Sequence, residues 1–226
     1  MRDAERSDSI ERAESPSRVS LFEDLAITKC GLIFEEQAWA AGFKFVAGLD
    51  EVGRGCLAGP VVAAACILDP AKPLPKGIDD SKKLTANQRE EIAAELKIEC
   101  VAYAIGQIEA EEIDRINILE ATKQAMLLAI ANLEQTADYL LIDALSLKQI
   151  RLPQKAIIKG DSISASIAAA SILAKTYRDA MMIEYDLEFP QYGFAGHKGY
   201  GAATHLESLR EHGPCHLHRR SFRGVL

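Results

Sequence analysis

The 226-residue chain has no apolar run approaching the roughly 20 residues needed to cross a bilayer, which excludes a helical membrane span. Its first twenty residues, MRDAERSDSIERAESPSRVS, carry charges throughout and lack the apolar core of a secretory signal. The cytoplasm is therefore the expected compartment. The five cysteines (Cys30, Cys56, Cys66, Cys100, Cys215) include no C-x-x-C pair, so they are expected to be reduced packing residues. Cys215, His216 and His218 stand close together in the tail, but no second ligand pair at standard spacing accompanies them, and a zinc site is not expected. There is no G-x-G-x-x-G opening a helix and no Walker lysine, which disfavours dinucleotide and P-loop nucleotide sites. Internal repeats and low-complexity tracts are missing as well.

What is present is the composition of an ordinary soluble globular protein, 48% hydrophobic and 26% charged, of a length that suits one sizeable domain. The net charge of −7 argues weakly against a nucleic-acid partner. Its distribution softens that. From residue 144 onward eleven Lys and Arg face seven Asp and Glu, a balance of +4, which leaves 15 basic against 26 acidic side chains before it. Such a split permits a basic strip on an acidic protein.

Residues 1–20 are polar and read as a flexible extension, and residues 21–42 as a helical lead-in. From Phe43 the pattern becomes α/β. FKFVAGLD, VVAAACIL (Val61 to Leu68), CVAYAIGQI (Cys100 to Ile108), YLLIDAL (Tyr139 to Leu145) and KAIIKG (Lys155 to Gly160) read as five strands. Thr85 and Gln88 have capping-box spacing and open a helix through about Leu96. Glu111 to Leu133 fits one or two amphipathic helices, and a long Ala- and Ser-rich helix follows KAIIKG. After Pro190 a glycine-punctuated loop leads to a short terminal helix. The order argues for a mixed sheet of about five strands flanked by helices, with a C-terminal helical extension from about residue 190.

Four acids fall at or near the ends of predicted strands: Asp50 and Glu51 after the first, Asp143 in YLLID, and Asp161 after KAIIKG. Hard divalent ions take oxygen ligands from a few carboxylates, and two-metal phosphoryl chemistry needs several acids converging from different segments. Each acid also has a plain structural reading. Asp161 can cap the following helix, Asp143 can end a strand in a turn, and Asp50-Glu51 can open a hairpin. Asp179 is also a candidate acid, but mid-helix beside Arg178 it reads as solvated or ion-paired. Gly53 and Gly55 around Arg54 can form a tight turn, or can let backbone amides approach a phosphate or a sugar hydroxyl. On the residues alone, metal-assisted phosphoryl chemistry and a structural explanation stand side by side.

Together, GLDEVGRG, DDSKKL, LLIDAL, KGDSISASIAAASILAKTYRD and HKGYG followed by HRRSF resemble type 2 ribonuclease H, the bacterial ribonuclease HII, in order from about Phe43 to Phe222. The resemblance implies a ribonuclease H-like fold and a monomeric endoribonuclease. Its substrates would be RNA/DNA hybrids and duplex DNA bearing single ribonucleotides. It implies that Asp50, Glu51, Asp143 and Asp161 bind one or two Mg²⁺ or Mn²⁺ ions. It further implies that Gly53, Arg54, Gly55 and Tyr200 sense the ribonucleotide junction and that Lys82 and Lys83 contact phosphate. Asp161 and the Gly53-Arg54-Gly55 turn favour this type over the sibling ribonuclease HIII. The tail RRSFRGVL has no clear sliding-clamp pattern, which leaves a clamp partner open. A catalytically silent binding module and a small-molecule phosphotransferase are the competing classes. The intact set of four acids speaks against the first, and the missing nucleotide motifs against the second.

Overall fold

Short runs of Val, Ile and Ala at period two build the sheet. The computed structural model describes residues 29–225, so the predicted polar extension and the start of the helical lead-in lie outside the described residues. Strands β1 (Val46–Val52), β2 (Val61–Ile67), β3 (Ala102–Ile108), β4 (Tyr139–Asp143) and β5 (Gln154–Ile157) form one sheet in the order β3-β2-β1-β4-β5. β2 runs antiparallel to β1 and β3, whereas β4 lies parallel to both β1 and β5. The expected mixed five-stranded sheet is therefore present.

Alternation divides the core between the two faces. Ala47, Leu49, Val61, Ala63, Ala65 and Ile67 pack with α3 (Ala110–Ile116) and α4 (Ile118–Ala131). Val62, Ala64 and Cys66 pack against α2 (Ala86–Glu99) and the 24-residue α5 (Ala165–Glu188) on the other face. Helix α1 (Ile33–Ala40) contributes Phe34 and Ala38 to a smaller cluster with Val46, Tyr139 and Leu141. Two glycines allow these layers to touch. A Cβ on Gly48 would fall 2.0 Å from the Ser166 carbonyl carbon of α5, and one on Gly106 would fall 2.1 Å from the Ala125 oxygen of α4. Only a bare backbone fits at either point.

The predicted capping box is formed: Gln88 N donates to Thr85 Oγ1 at 3.3 Å, and Thr85 N donates to Gln88 Oε1 at 2.9 Å. The amphipathic stretch divides into two helices at Asn117, which adopts φ +72° and accepts from the amides of Leu119 and Glu120 at the start of α4. β1 continues through Glu51 to Val52 instead of stopping at Asp50, because Glu51 and Val52 stay in register with Ala63 and Val62 of β2. Beyond α5, the chain forms α6 (Phe194–His197) and α7 (Ala203–His212), and these enclose a third core of Leu57, Met182, Tyr192, Phe194, Leu209 and Leu217. Among the described residues no helix is long and apolar enough to cross a membrane.

Candidate active site

The parallel pairing of β1 and β4 puts their C-terminal ends side by side, and that is what brings the acids together. A groove of about 190 Å³ is lined by Asp50, Glu51, Gly53, Arg54, Gly55, Ser81, Lys82, Asp143, Ser171 and Tyr200. Asp161 reaches the same place from the 3₁₀ turn Gly160–Ser162, through a 2.9 Å ion pair with Lys82. All four predicted acids and the Gly53–Gly55 turn thus meet at one site, with Tyr200 on its rim. Lys83 lies outside the groove lining and pairs instead with Asp79 at 2.9 Å.

Each acid is held by its backbone setting. Asp50 is 4% exposed and accepts from the Glu51 amide at 2.8 Å. Burial, with the charges of Glu51 and Asp143 beside it, pushes its carboxyl up to about 8 despite a hydrogen bond from Ser171. Asp143 accepts from the Gly160 amide at 2.8 Å, and burial holds its carboxyl above the usual range. Glu51 is raised by burial and pulled back by Arg54, whose Nη1 lies 3.1 Å from Glu51 Oε1. Its other oxygen, Oε2, is buried without a hydrogen-bond partner. Burial works against the Lys82 ammonium, yet Asp161, Asp80 and Asp50 keep it well above the ordinary lysine range.

Among the described residues no three His, Cys, Asp or Glu side chains converge at metal-ligand spacing. Each of the four acids is drawn to a separate N–H donor: Asp161 to Lys82, Glu51 to Arg54, Asp143 to the Gly160 amide and Asp50 to the Glu51 amide. The donor set nevertheless suits a hard divalent cation. One carboxylate oxygen is buried with no partner, and Asp50 is buried beside two other acids. The Cys215–His218 tail segment has a different use, because His218 Nδ1 sits 3.1 Å from the Cys215 amide.

Two expectations change in detail. Asp161 does not cap the long helix. That position belongs to Ser164, whose hydroxyl accepts from Ile167 N at 3.4 Å. The two glycines of the turn also differ. Gly53 adopts φ +89°, and a Cβ there would fall 2.4 Å from Arg178 Nε, whereas one on Gly55 would meet open space. Gly53 is needed by the packing, and Gly55 leaves its backbone bare on the groove side.

Sequence reasoning passed over the residues beneath the site. Arg178 and Arg219 are fully buried and donate only to carbonyls: Arg178 to Ala58, Pro60 and Lys198, Arg219 to Arg54 and Gly59. Arg89 grips the Ser81 and Leu84 carbonyls at 3.0 and 2.6 Å and so holds the loop that presents Lys82. Asp179 is ion-paired as expected, to Lys175 at 2.6 Å and Arg89 at 3.7 Å. Nothing in a single sequence marks which arginines grip carbonyls.

A family model described as Ribonuclease HII matches residues 47–225, most of the chain. The chain belongs to the ribonuclease HII family. Ribonuclease HII of Chlamydia caviae is 56% identical over 201 residues, covering 88% of this chain and 93% of its own. Ribonuclease HII of Geobacter metallireducens is 53% identical over 208 residues, covering 92% and 97%. Among solved structures, ribonuclease H2 from Pyrococcus horikoshii superimposes with a TM-score of 0.70 at 26% identity, over 80% of this chain and 95% of that one. The sheet and its flanking helices are the ribonuclease H-like fold.

Proposed function

We propose that the protein is a divalent-metal-dependent endoribonuclease that hydrolyses the RNA strand of RNA/DNA hybrids. We propose further that it cuts 5′ to single ribonucleotides embedded in duplex DNA, leaving 3′-hydroxyl and 5′-phosphate ends, as a monomer in the cytoplasm. The observation that carries this reading is the single groove shared by Asp50, Glu51, Asp143, the Gly53–Gly55 turn, Lys82 and Tyr200 in a chain of this family.

Asp50, Glu51, Asp143 and Asp161 are the residues that would hold Mg²⁺ or Mn²⁺. Bound there, one or two such ions would make a water nucleophilic and stabilise the departing 3′ oxygen. The chain's own groups orient the substrate. Lys82, exposed and already beside Asp161, offers its ammonium to a phosphate oxygen. The bare backbone of the turn and the Tyr200 hydroxyl would contact the 2′-hydroxyl, the group by which a protein tells RNA from DNA. The Tyr200 ring, 42% exposed at the groove, is free to stack on the next deoxyribose. Asp143 is kept in place by the Gly160 amide, so its carboxylate would be positioned to hold a divalent ion without reorganising.

The deciding experiment is cleavage of an end-labelled duplex with one ribonucleotide, beside a continuous RNA/DNA hybrid, with and without Mg²⁺. Metal-dependent incision 5′ to the ribonucleotide is expected. Cleavage of the hybrid alone would remove the embedded-ribonucleotide reading, and cleavage of neither would remove the enzyme reading.

A further inference from the structure

Behind Tyr200 lies a set of buried imidazoles that the proposed chemistry does not use. His205 of α7 is 0% exposed and His218 is 2% exposed. His205 Nδ1 sits 2.8 Å from the Tyr200 carbonyl oxygen, and its Nε2 sits 3.0 Å from His218 Nε2. His218 Nδ1 in turn lies 3.1 Å from the Cys215 amide nitrogen. Each contact dictates the next. A carbonyl oxygen can only accept, so His205 Nδ1 carries the proton. Burial keeps the ring neutral, so its Nε2 is bare and must accept. His218 Nε2 therefore donates, and its bare Nδ1 receives the Cys215 N–H. Both rings are locked in one tautomer, opposite to each other.

The pair joins the two sides of the groove. On one side it holds Tyr200, whose amide also donates to the His197 carbonyl at 3.0 Å. The His197 ring stacks on His205 with centroids 4.4 Å apart and 10° between planes. On the other side, His218 belongs to the segment that bridges Ala58, and the Arg219 amide donates to the Leu57 carbonyl at 2.8 Å. The guanidinium of the same Arg219 grips the Arg54 carbonyl at 3.0 Å. Gly199, next to Tyr200, accepts directly from the Leu57 and Ala58 amides at 2.8 and 3.3 Å, and His205 with His218 adds a second link between Tyr200 and the Gly53–Gly55 turn.

We propose that His205 and His218 are positioning residues for ribonucleotide selection: His205 anchors the Tyr200 carbonyl beside the Gly53–Gly55 turn, and His218 fixes the His205 tautomer that does so. The proposal rests on Tyr200 acting as a ribose contact. A purely space-filling role would make the smaller His205→Asn more harmful than His205→Gln. The positioning role distinguishes two amides of nearly the same polarity. In His205→Asn the amide nitrogen occupies the place of Nδ1 and still donates to the Tyr200 carbonyl. In His205→Gln the amide reaches the place of Nε2 and abandons Tyr200.

The test compares kcat/KM on the single-ribonucleotide duplex with kcat/KM on the continuous hybrid for wild type, His205→Asn, His205→Gln and Tyr200→Ala. The expected ratio falls about tenfold or more in Tyr200→Ala and His205→Gln and stays within about threefold of wild type in His205→Asn. Equal ratios in the two His205 variants would overturn the positioning role while leaving the Tyr200 reading in place. An unchanged ratio in Tyr200→Ala would overturn both. Should the variants fail to fold, long-range ¹H–¹⁵N spectra of the wild-type imidazoles decide. The protonated nitrogen is expected at Nδ1 of His205 and Nε2 of His218, and the reverse assignment would overturn the proposal.

Discussion

At the scale of single residues, Asp50 shows the conflict between stability and function most directly. It is buried beside Glu51 and Asp143, with a backbone amide and a serine hydroxyl as its donors, and its carboxyl is pushed up to about 8. A folded-state value above the unfolded one means that folding favours the protonated form. The penalty is absent below the unfolded value near 4 and grows as pH rises through about 8. Asp50→Asn should therefore stabilise the metal-free protein by about 2 kcal/mol at pH 8, a rise of about 4–8 °C in Tm. The gain should shrink toward zero near pH 4. Melting curves in chelator at both ends of that range check it, and a lower Tm for the variant at pH 8 would refute it. Asp143→Asn argues the other side. Asp143 accepts from Gly160 with one oxygen, and an amide oxygen can keep that bond while the charge is lost. Cleavage in Mg²⁺ should fall by about 10³-fold or more with the fold intact. Wild-type turnover would remove Asp143 from the catalytic set.

At the scale of elements, the site depends on how closely α5 approaches β1. Gly48 is what permits it: Asp50, two residues on along the same face, then meets Ser171, five residues further along the helix than Ser166. Gly48→Ala places a methyl group within 2.0 Å of the helix backbone, where no rotamer can relieve it. The helix must move, and the expected loss is about 3 kcal/mol or more, read as a lower midpoint in urea at unchanged slope. A change below about 0.5 kcal/mol would show that α5 gives way freely. Much at this scale was legible beforehand. The five strands, the capping box at Thr85 and Gln88, and the long helix all appear in the patterning, because local propensity and burial agree there. Asp161 was less legible. The acid nearest a helix start is a natural cap, but a 3₁₀ turn intervenes, and Ser164 takes the cap while Asp161 turns to Lys82.

At the scale of the whole molecule, what a periodic pattern cannot supply is strand order. Nothing in the alternation of YLLID says that β4 lies parallel to β1 rather than at an edge, and only that pairing sets Asp143 beside Asp50. In the sequence the four acids stood as a candidate metal set beside a structural explanation, and only the resemblance favoured the set; the partners of His205, His218, Arg178 and Arg219 could not be read, since they are backbone groups and one another. The same scale bears on how an acidic chain, with net charge −7, would take the proposed polyanion. Lys82 pairs with Asp161 and Asp80 but lines the groove with its side chain 74% exposed, which puts its charge within reach of a phosphate there, whereas Lys83 pairs with Asp79 outside the lining. A single phosphate contact contributes close to one released counterion. Lys82→Ala should therefore weaken hybrid binding to a similar degree for every sequence and lower the slope of log K against log salt by about 1. Lys83→Ala should lower it by less. Titrations of catalytically inert Asp143→Asn protein across a salt series measure both slopes. An unchanged slope for Lys82→Ala would mean that its ammonium serves Asp161 alone and never reaches the substrate.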